Sequence, residues 1–310
     1  MQVSPKIIFM GTPDFAVASL AALVEAGQHI AAVVTAPDKP SGRGLKLMPS
    51  PVKIYAESKG LKILQPEKLR DKLFLQELAE LKADLFVVVA FRMLPEVVWS
   101  MPKLGTFNLH ASLLPQYRGA APINWAVING ETETGVTTFL IEKEIDTGKI
   151  IFQEKETIMP DDTAGDVYIR LMKKGAGLVV KTVEAILSGH FPQSAQTNSG
   201  ELRLAPKLFR ENGQIDWHSS SRSIHNLVRG LSPYPSAWTT LKGLNCKIYK
   251  TEVVNQYNTD LSLLPGTHLT DGKTYLLFRT SDGWLSVKEL QLEGKRKMGI
   301  EEFLRGNKLD

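Results

Sequence analysis

The chain has 310 residues, 43% hydrophobic and 23% charged, with a formal net charge of +4. This is the composition of a folded globular protein and excludes a collagen-like, largely disordered or disulfide-built chain. A single cysteine, Cys246, no apolar run of 18 residues and no signal-type N-terminus point to a reducing compartment without a membrane partner, so a cytoplasmic location is expected.

The length allows two domains, and the charge is unevenly divided. Residues 1–200 carry 21 Lys and Arg against 21 Asp and Glu, whereas residues 201–310 carry 16 against 12. The whole excess lies in the last third, as expected if that part meets a polyanion.

Residues 6–10 (KIIFM) read as a buried strand. Thr12-Pro13-Asp14 then opens a helix, with Thr12 as hydroxyl cap, proline at the first helical position and an acid in the first turn. Phe15, Ala18, Ala22 and Leu23 form its apolar face, and Gly27 ends it. A strand over 29–35 is followed by a Pro/Gly/Lys-rich loop, 37–51. A helix runs from Val52 to Gly60, a strand over 61–64, a helical stretch over 66–82 and a strand over 84–91. After these comes GTFNLHASLLP (105–115). This alternation implies an α/β fold, a Rossmann-like, doubly wound and mainly parallel sheet. Residues 122–131 read as a helix and 134–158 as strands with a reversal in or beside which Asp146 lies. Residues 163–189 read as a long helix. The polar, aperiodic stretch 190–206 reads as a linker. Beyond a partly helical 207–232, the short strands of 236–293 suggest a small β-barrel or sandwich. The expected division is 1–189, a 190–206 linker and 207–310, and a chain ended near Ser199 is expected to keep the first fold.

Gly11 follows the first strand without a GxGxxG pattern, so it reads as room for the strand-to-helix turn rather than a dinucleotide site. The densest polar cluster is Asn108-Leu109-His110-Ala111-Ser112. It lies at the end of a parallel strand, where open α/β sheets bind ligands. In extended backbone Asn108, His110 and Ser112 share a face. An amide and an imidazole there are the donors that acyl transfer aims at a developing oxyanion. Asp146, if the reversal folds back, supplies a carboxylate to orient His110. No Gly-x-Ser-x-Gly elbow and no metal-ligand spacing is present. The attacking nucleophile therefore belongs to the substrate.

NLHASLLPQYRGAAPINWAVINGETETGVT (108–137) and EIDTGKI (144–150) resemble the 10-formyltetrahydrofolate-dependent formyltransferases. The resemblance implies that Asn108, His110 and Asp146 are catalytic and that Ser112, Leu113, Leu114 and Pro115 bind the folate. Arg118-Gly119-Ala120-Ala121-Pro122 points to the two-domain branches, which formylate the amine of methionyl-tRNA or of a nucleotide-linked aminosugar. The loop PDKPSGRGLKLMPSPVK (37–53) is similar to the insertion with which the tRNA-directed branch grips the acceptor end. Its cations are Lys39, Arg43, Lys46 and Lys53, and Arg43 is the first expected nucleic-acid contact, with Lys39 and Lys46. Phe91-Arg92-Met93 departs from the aromatic-then-small pattern of many relatives near the pterin. The resemblance thus implies a metal-free formyltransferase using 10-formyltetrahydrofolate as donor and initiator methionyl-tRNA as acceptor, with an OB-like, tRNA-binding C-terminal domain. A monomer is expected. Aminosugar formylation, or a non-catalytic RNA- or folate-binding protein on the same fold, are the alternatives.

Overall fold

A computed structural model describes residues 5–41, 46–197, 200–254 and 263–309. They fall into two compact units: Met1–Gly119, Gly135–Glu156 and Tyr168–Leu204, and Ala120–Thr134, Thr157–Val167 and Ala205–Asp310. The chain opens with β1 (Lys6–Gly11), α1 (Asp14–Glu25) and β2 (His29–Val34), then β3 (Lys39–Ser41) and β4 (Lys46–Met48). Next come α2 (Pro51–Ser58), β5 (Ile63–Leu64), α3 (Lys72–Glu80), β6 (Leu85–Val89), α4 (Glu96–Trp99) and β7 (Thr106–His110). β8 (Arg118–Gly119), α5 (Pro122–Ile128), β9 (Glu133–Leu140), β10 (Ile150–Thr157) and α6 (Ala164–Leu187) follow.

The first unit is built on a seven-stranded sheet of order β10-β9-β7-β6-β1-β2-β5. β1 pairs in parallel with β2 and β6, β6 with β7 and β2 with β5, while β9 runs antiparallel to β7. The central strands are unbroken apolar runs because both faces are covered. Ile7–Met10 are fully buried, and all five residues of β6 are buried. From β1 the chain winds outward to β2 and β5, then returns to β6 on the other side. The winding therefore reverses at the C-terminal ends of β1 and β6, the position where such sheets bind ligands. Gly11 sits at that reversal. A Cβ there would lie 2.6 Å from Ala16 Cβ and 3.0 Å from Val89 O, so only glycine lets α1 pack this close.

Several local expectations are corrected. Pro13, not Thr12, is the N-cap of α1, with no side-chain cap bond. Thr12 lies one residue too early, and Asp14 accepts from Phe15 N at 3.1 Å instead. The buried face of α1 is Phe15, Ala16, Ser19, Leu20 and Leu23, a stripe rotated away from Ala18 and Ala22. The 37–51 stretch contains a hairpin, with Lys39 opposite Met48 and Ser41 opposite Lys46. The helical stretch 66–82 shrinks to α3, because Asp71 caps it through Leu73 N (3.0 Å) and Phe74 N (3.1 Å). The strand expected over 84–91 stops at Val89, since Ala90 turns to φ 46°.

The second unit holds β11 (Leu204–Ala205), from Ala205 onward, and a 3₁₀ turn (Arg210–Gly213). It continues with α7 (Ser221–Leu231), β12 (Ala237–Leu241), β13 (Leu244–Val254), β14 (His268–Thr270), β15 (Leu276–Arg279), β16 (Trp284–Leu292), β17 (Met298–Gly299) and α8 (Ile300–Gly306). The strands form an antiparallel sheet of order β12-β13-β16-β15-β14, with β17 on β16. Its inner face meets Ile224, Val228 and Leu231 of α7 and Phe303 of α8 in one apolar core with Ile248, Phe278, Leu285 and Leu290. α5 belongs to this unit and packs on α7. Asn124 Nδ2 donates to Gly230 O at 2.8 Å, and Gly230 has no room for a Cβ beside Ile128. Among the described residues, no helix is long and apolar enough to cross a membrane.

Candidate active site

β7 lies between β6 and β9, so its backbone is fixed on both sides: Val88 pairs with Asn108, and His110 is opposite Thr137. Strand alternation turns Asn108 and His110 to the same face. Asn108 is half-buried, and its side-chain amide has no hydrogen bond among the described residues. His110 ends the strand and is buried. Its Nε2 lies 2.8 Å from Tyr117 O. A carbonyl only accepts, so Nε2 carries the proton and Nδ1 is the nitrogen left for chemistry. Nδ1 faces Asp146 Oδ2 at 3.9 Å, an ion-pair distance too long for a hydrogen bond. The ring is therefore oriented by the Tyr117 carbonyl, with the carboxylate set against its free edge.

Asp146 reaches this place through backbone geometry. It adopts φ 55°, a region that Asp tolerates better than most residues. Its Oδ2 accepts from Gly119 N at 3.0 Å. Gln196 Nε2 donates to Asp146 O (2.9 Å) and Gly148 O (2.8 Å), while its Oε1 accepts from Arg118 Nε (3.1 Å) and Nη2 (2.6 Å). A Cβ on Gly148 would sit 1.7 Å from Leu140 O; the reversal closes only with glycine.

The 112–115 turn leaves the end of β7 directly. Ser112 Oγ donates to Gln116 O at 2.6 Å, and Thr137 Oγ1 donates to Ser112 O at 2.6 Å. Ser112 and Leu114 are buried, so at those two positions the side chains serve the fold of the turn. Leu113 packs over Gly135, where a Cβ would come within 2.5 Å of its side chain.

Of the expected nucleic-acid residues, Lys39 and Lys46 lie elsewhere in the first unit. Lys39 is exposed in β3, Lys46 lies in β4, and Arg43 falls outside the described residues. Lys53 is not a free cation. Its Nζ binds Asp38 Oδ2 at 2.7 Å, and Gln65 Nε2 donates to Asp38 Oδ1 at 2.8 Å. These two bonds, that of Lys53 first, hold the Asp38 carboxyl below its ordinary value and staple the base of the hairpin. Arg92 also serves structure: its guanidinium donates to Glu67 O (2.7 Å) and Pro66 O and lies over the Phe91 ring. Met93 beside it is exposed.

Sequence reasoning missed Tyr117, Thr137 and Gln196. Tyr117 acts on His110 through its carbonyl, which any residue carries. Gln196 lies in the stretch read as a linker, whose polarity gave no sign that Ser194 bridges Ile150 or that Gln196 holds the Asp146 reversal.

Comparison with known proteins agrees with this architecture. Residues 5–183 match the formyl transferase family, and residues 207–308 match the formyl transferase C-terminal domain. A methionyl-tRNA formyltransferase of Bacteroides fragilis is 53% identical over 309 residues, covering 97% of this chain and 94% of the relative. One from Parabacteroides distasonis is 55% identical over 313 residues, covering 98% and 96%. Among solved structures, an N-formyltransferase from Helicobacter canadensis, in complex with folinic acid and dTDP-3-aminofucose, superposes with a TM-score of 0.67 at 24% identity, covering 91% of this chain and 98% of the other. That likeness is one of fold. Two family domains matched in order and relatives alike along their whole length lead to one conclusion: the chain belongs to the formyl transferase family.

Proposed function

We propose that this chain transfers the formyl group of 10-formyltetrahydrofolate to the α-amine of initiator methionyl-tRNA, in the cytoplasm. The observation that carries the chemistry is the buried His110, tied through Nε2 to Tyr117 O and facing Asp146 with Nδ1, beside the amide of Asn108, which makes no hydrogen bond among the described residues. The acceptor is inferred from relatives of that name at 53% and 55% identity along the whole chain.

The α-amine, as free base, attacks the formyl carbon. A reference pKa of about 8 leaves a usable neutral fraction near neutrality. The carbonyl oxygen becomes an oxyanion, to which Asn108 Nδ2 and a protonated His110 Nδ1 donate. A single donor of this kind contributes about 3–4 kcal/mol to lowering the barrier. Asp146 balances the imidazolium charge and, directly or through water, takes the proton released by the amine. The oxyanion then re-forms the carbonyl, the bond from carbon to the folate nitrogen breaks, and that nitrogen leaves as tetrahydrofolate with the proton that Asp146 took from the amine.

Ser112, Leu113, Leu114 and Pro115 are assigned to the donor. Arg43, Lys39 and Lys46 are assigned to the acceptor end of the tRNA, and residues 207–310 to its body, where the positive excess lies. Acceptor competition tests the reading. The protein is given formyl-folate with initiator methionyl-tRNA, elongator methionyl-tRNA and an aminosugar nucleotide. Formylation of the initiator alone is expected; preferential formylation of the aminosugar overturns it.

A further inference from the structure

The 112–115 turn is closed from outside by two side chains of the neighbouring strands. Thr137 of β9 is fully buried. Its hydroxyl donates to Ser112 O (2.6 Å) and accepts from Leu114 N (3.2 Å) and from Gln153 Nε2 (3.0 Å). A hydroxyl has one proton and two lone pairs, so all three positions are filled and the rotor is fixed. Gln153 of β10 uses the same Nε2 to donate to Leu114 O at 2.9 Å. One amide group thus holds the middle of the turn by its carbonyl and by the hydroxyl that grips its other end. The turn runs on to Tyr117, whose carbonyl orients His110. Its setting therefore bears on both the donor and the histidine.

We propose that Gln153 is a positioning residue for the formyl donor, holding the Leu114 carbonyl and the Thr137 hydroxyl so that the turn presents its backbone in one register. This rests on the reading that the turn binds the folate. Gln153 itself is exposed, and the buried Thr137 hydroxyl keeps its bonds to Ser112 O and Leu114 N when the amide is removed, so the fold loses little. The turn, however, gains freedom that donor binding must then remove.

Gln153→Met keeps the length and removes both donors. Gln153→Lys keeps a donor at the end of a chain of similar reach. Steady-state kinetics on the full chain should show the donor KM of Gln153→Met raised about five- to tenfold, at the low end for the two hydrogen bonds lost. The KM for methionyl-tRNA should be unchanged and Tm within about 2 °C of the parent. Gln153→Lys should recover most of the donor KM. Equal donor KM in Gln153→Met and the parent overturns the proposal, as does a parallel rise in both KM values. Hydrogen exchange of 111–117 in the parent, with and without tetrahydrofolate, tests the underlying reading separately. Protection there with no kinetic effect of Gln153→Met sinks the positioning role alone, whereas no protection removes the donor site on which it rests.

Discussion

His110 has one nitrogen committed to the fold and one left over, and that division sets what substitutions should do. Removing the ring deletes the proposed donor to the oxyanion and the bond to Tyr117 O. Asp146→Asn keeps the shape and the bond from Gly119 N but removes the charge opposite Nδ1. Each change is expected to lower kcat by about 10²–10⁴-fold with little effect on folate binding. His110→Ala combined with Asp146→Asn should cost far less than the product, because the two act as a unit. Single-turnover formylation by either variant at the parental rate would remove both from the mechanism. On the acceptor side, Arg43→Ala should raise KM for methionyl-tRNA, lower kcat, or both, while sparing any slow formyl-folate hydrolysis. Arg43→Lys should restore only part, since lysine keeps the charge and loses the two-pronged fork. A change under twofold in either constant for Arg43→Ala would make the arginine incidental. Asn108, His110 and Asp146 could be proposed from the sequence because the chemistry proposed for them resides in side-chain type. Tyr117 and Thr137 were not, since a carbonyl has no signature and a threonine in a strand is ordinary.

At the level of elements, the buried strands were legible because a strand covered on both faces must be apolar throughout, as β1 and β6 are. The β3–β4 hairpin and the Asp71 cap were hidden, because short polar segments owe their form to one or two hydrogen bonds. α7 shows what helical periodicity does not reveal. Besides its apolar side it buries Arg229 and His225, and it accepts α5 at a glycine. At Gly230 a Cβ would lie 2.5 Å from Ile128 Cγ1 and 2.8 Å from its backbone nitrogen. Gly230→Ala should therefore destabilise the protein by about 1–3 kcal/mol, read as a lower urea midpoint at unchanged m. His225 Nδ1 meets Thr251 Oγ1 at 3.1 Å. Burial, then the charges of Arg229 and Arg222, lower its pKa, with Asp161 opposing. The unfolded chain therefore takes up a proton that the folded one refuses. Stability from this group is complete above about pH 6.5 and is lost as pH falls toward the depressed folded value. Urea unfolding between pH 8 and pH 5 should show this decline, and His225→Gln should flatten it; an unchanged slope in that variant would assign the decline to other groups.

For the whole molecule, the polar stretch 190–206 suggested a clean cut, with everything before it folding alone. The packing of the second unit gives a different expectation. α5 and the 157–167 segment precede the stretch in sequence but are held by residues from its last position, Pro206, onward. Trp125 Nε1 donates to Pro206 O at 2.8 Å, Arg229 Nη1 donates to Asp162 O at 3.2 Å, and Gly165 N donates to Ser232 O at 3.1 Å. Ile128 rests against the core that the antiparallel sheet forms with α7. A chain ended at Ser199 loses all of these partners at once. The freed groups lie between β7 and β9 and between β10 and α6, on connections that join the strands of the active site. Polar composition could not disclose this, because it reports where the chain is solvated and not where an earlier segment finds its cover. The truncated chain is therefore expected to bind a hydrophobic dye, to unfold over a broader temperature range at a lower midpoint, and to bind tetrahydrofolate more weakly than the full chain. Calorimetry and folate titration on the two proteins decide the matter. A sharp transition at the parental midpoint with parental folate affinity would mean that α5 and 157–167 need no cover from the residues beyond 204, and that the first unit folds without them.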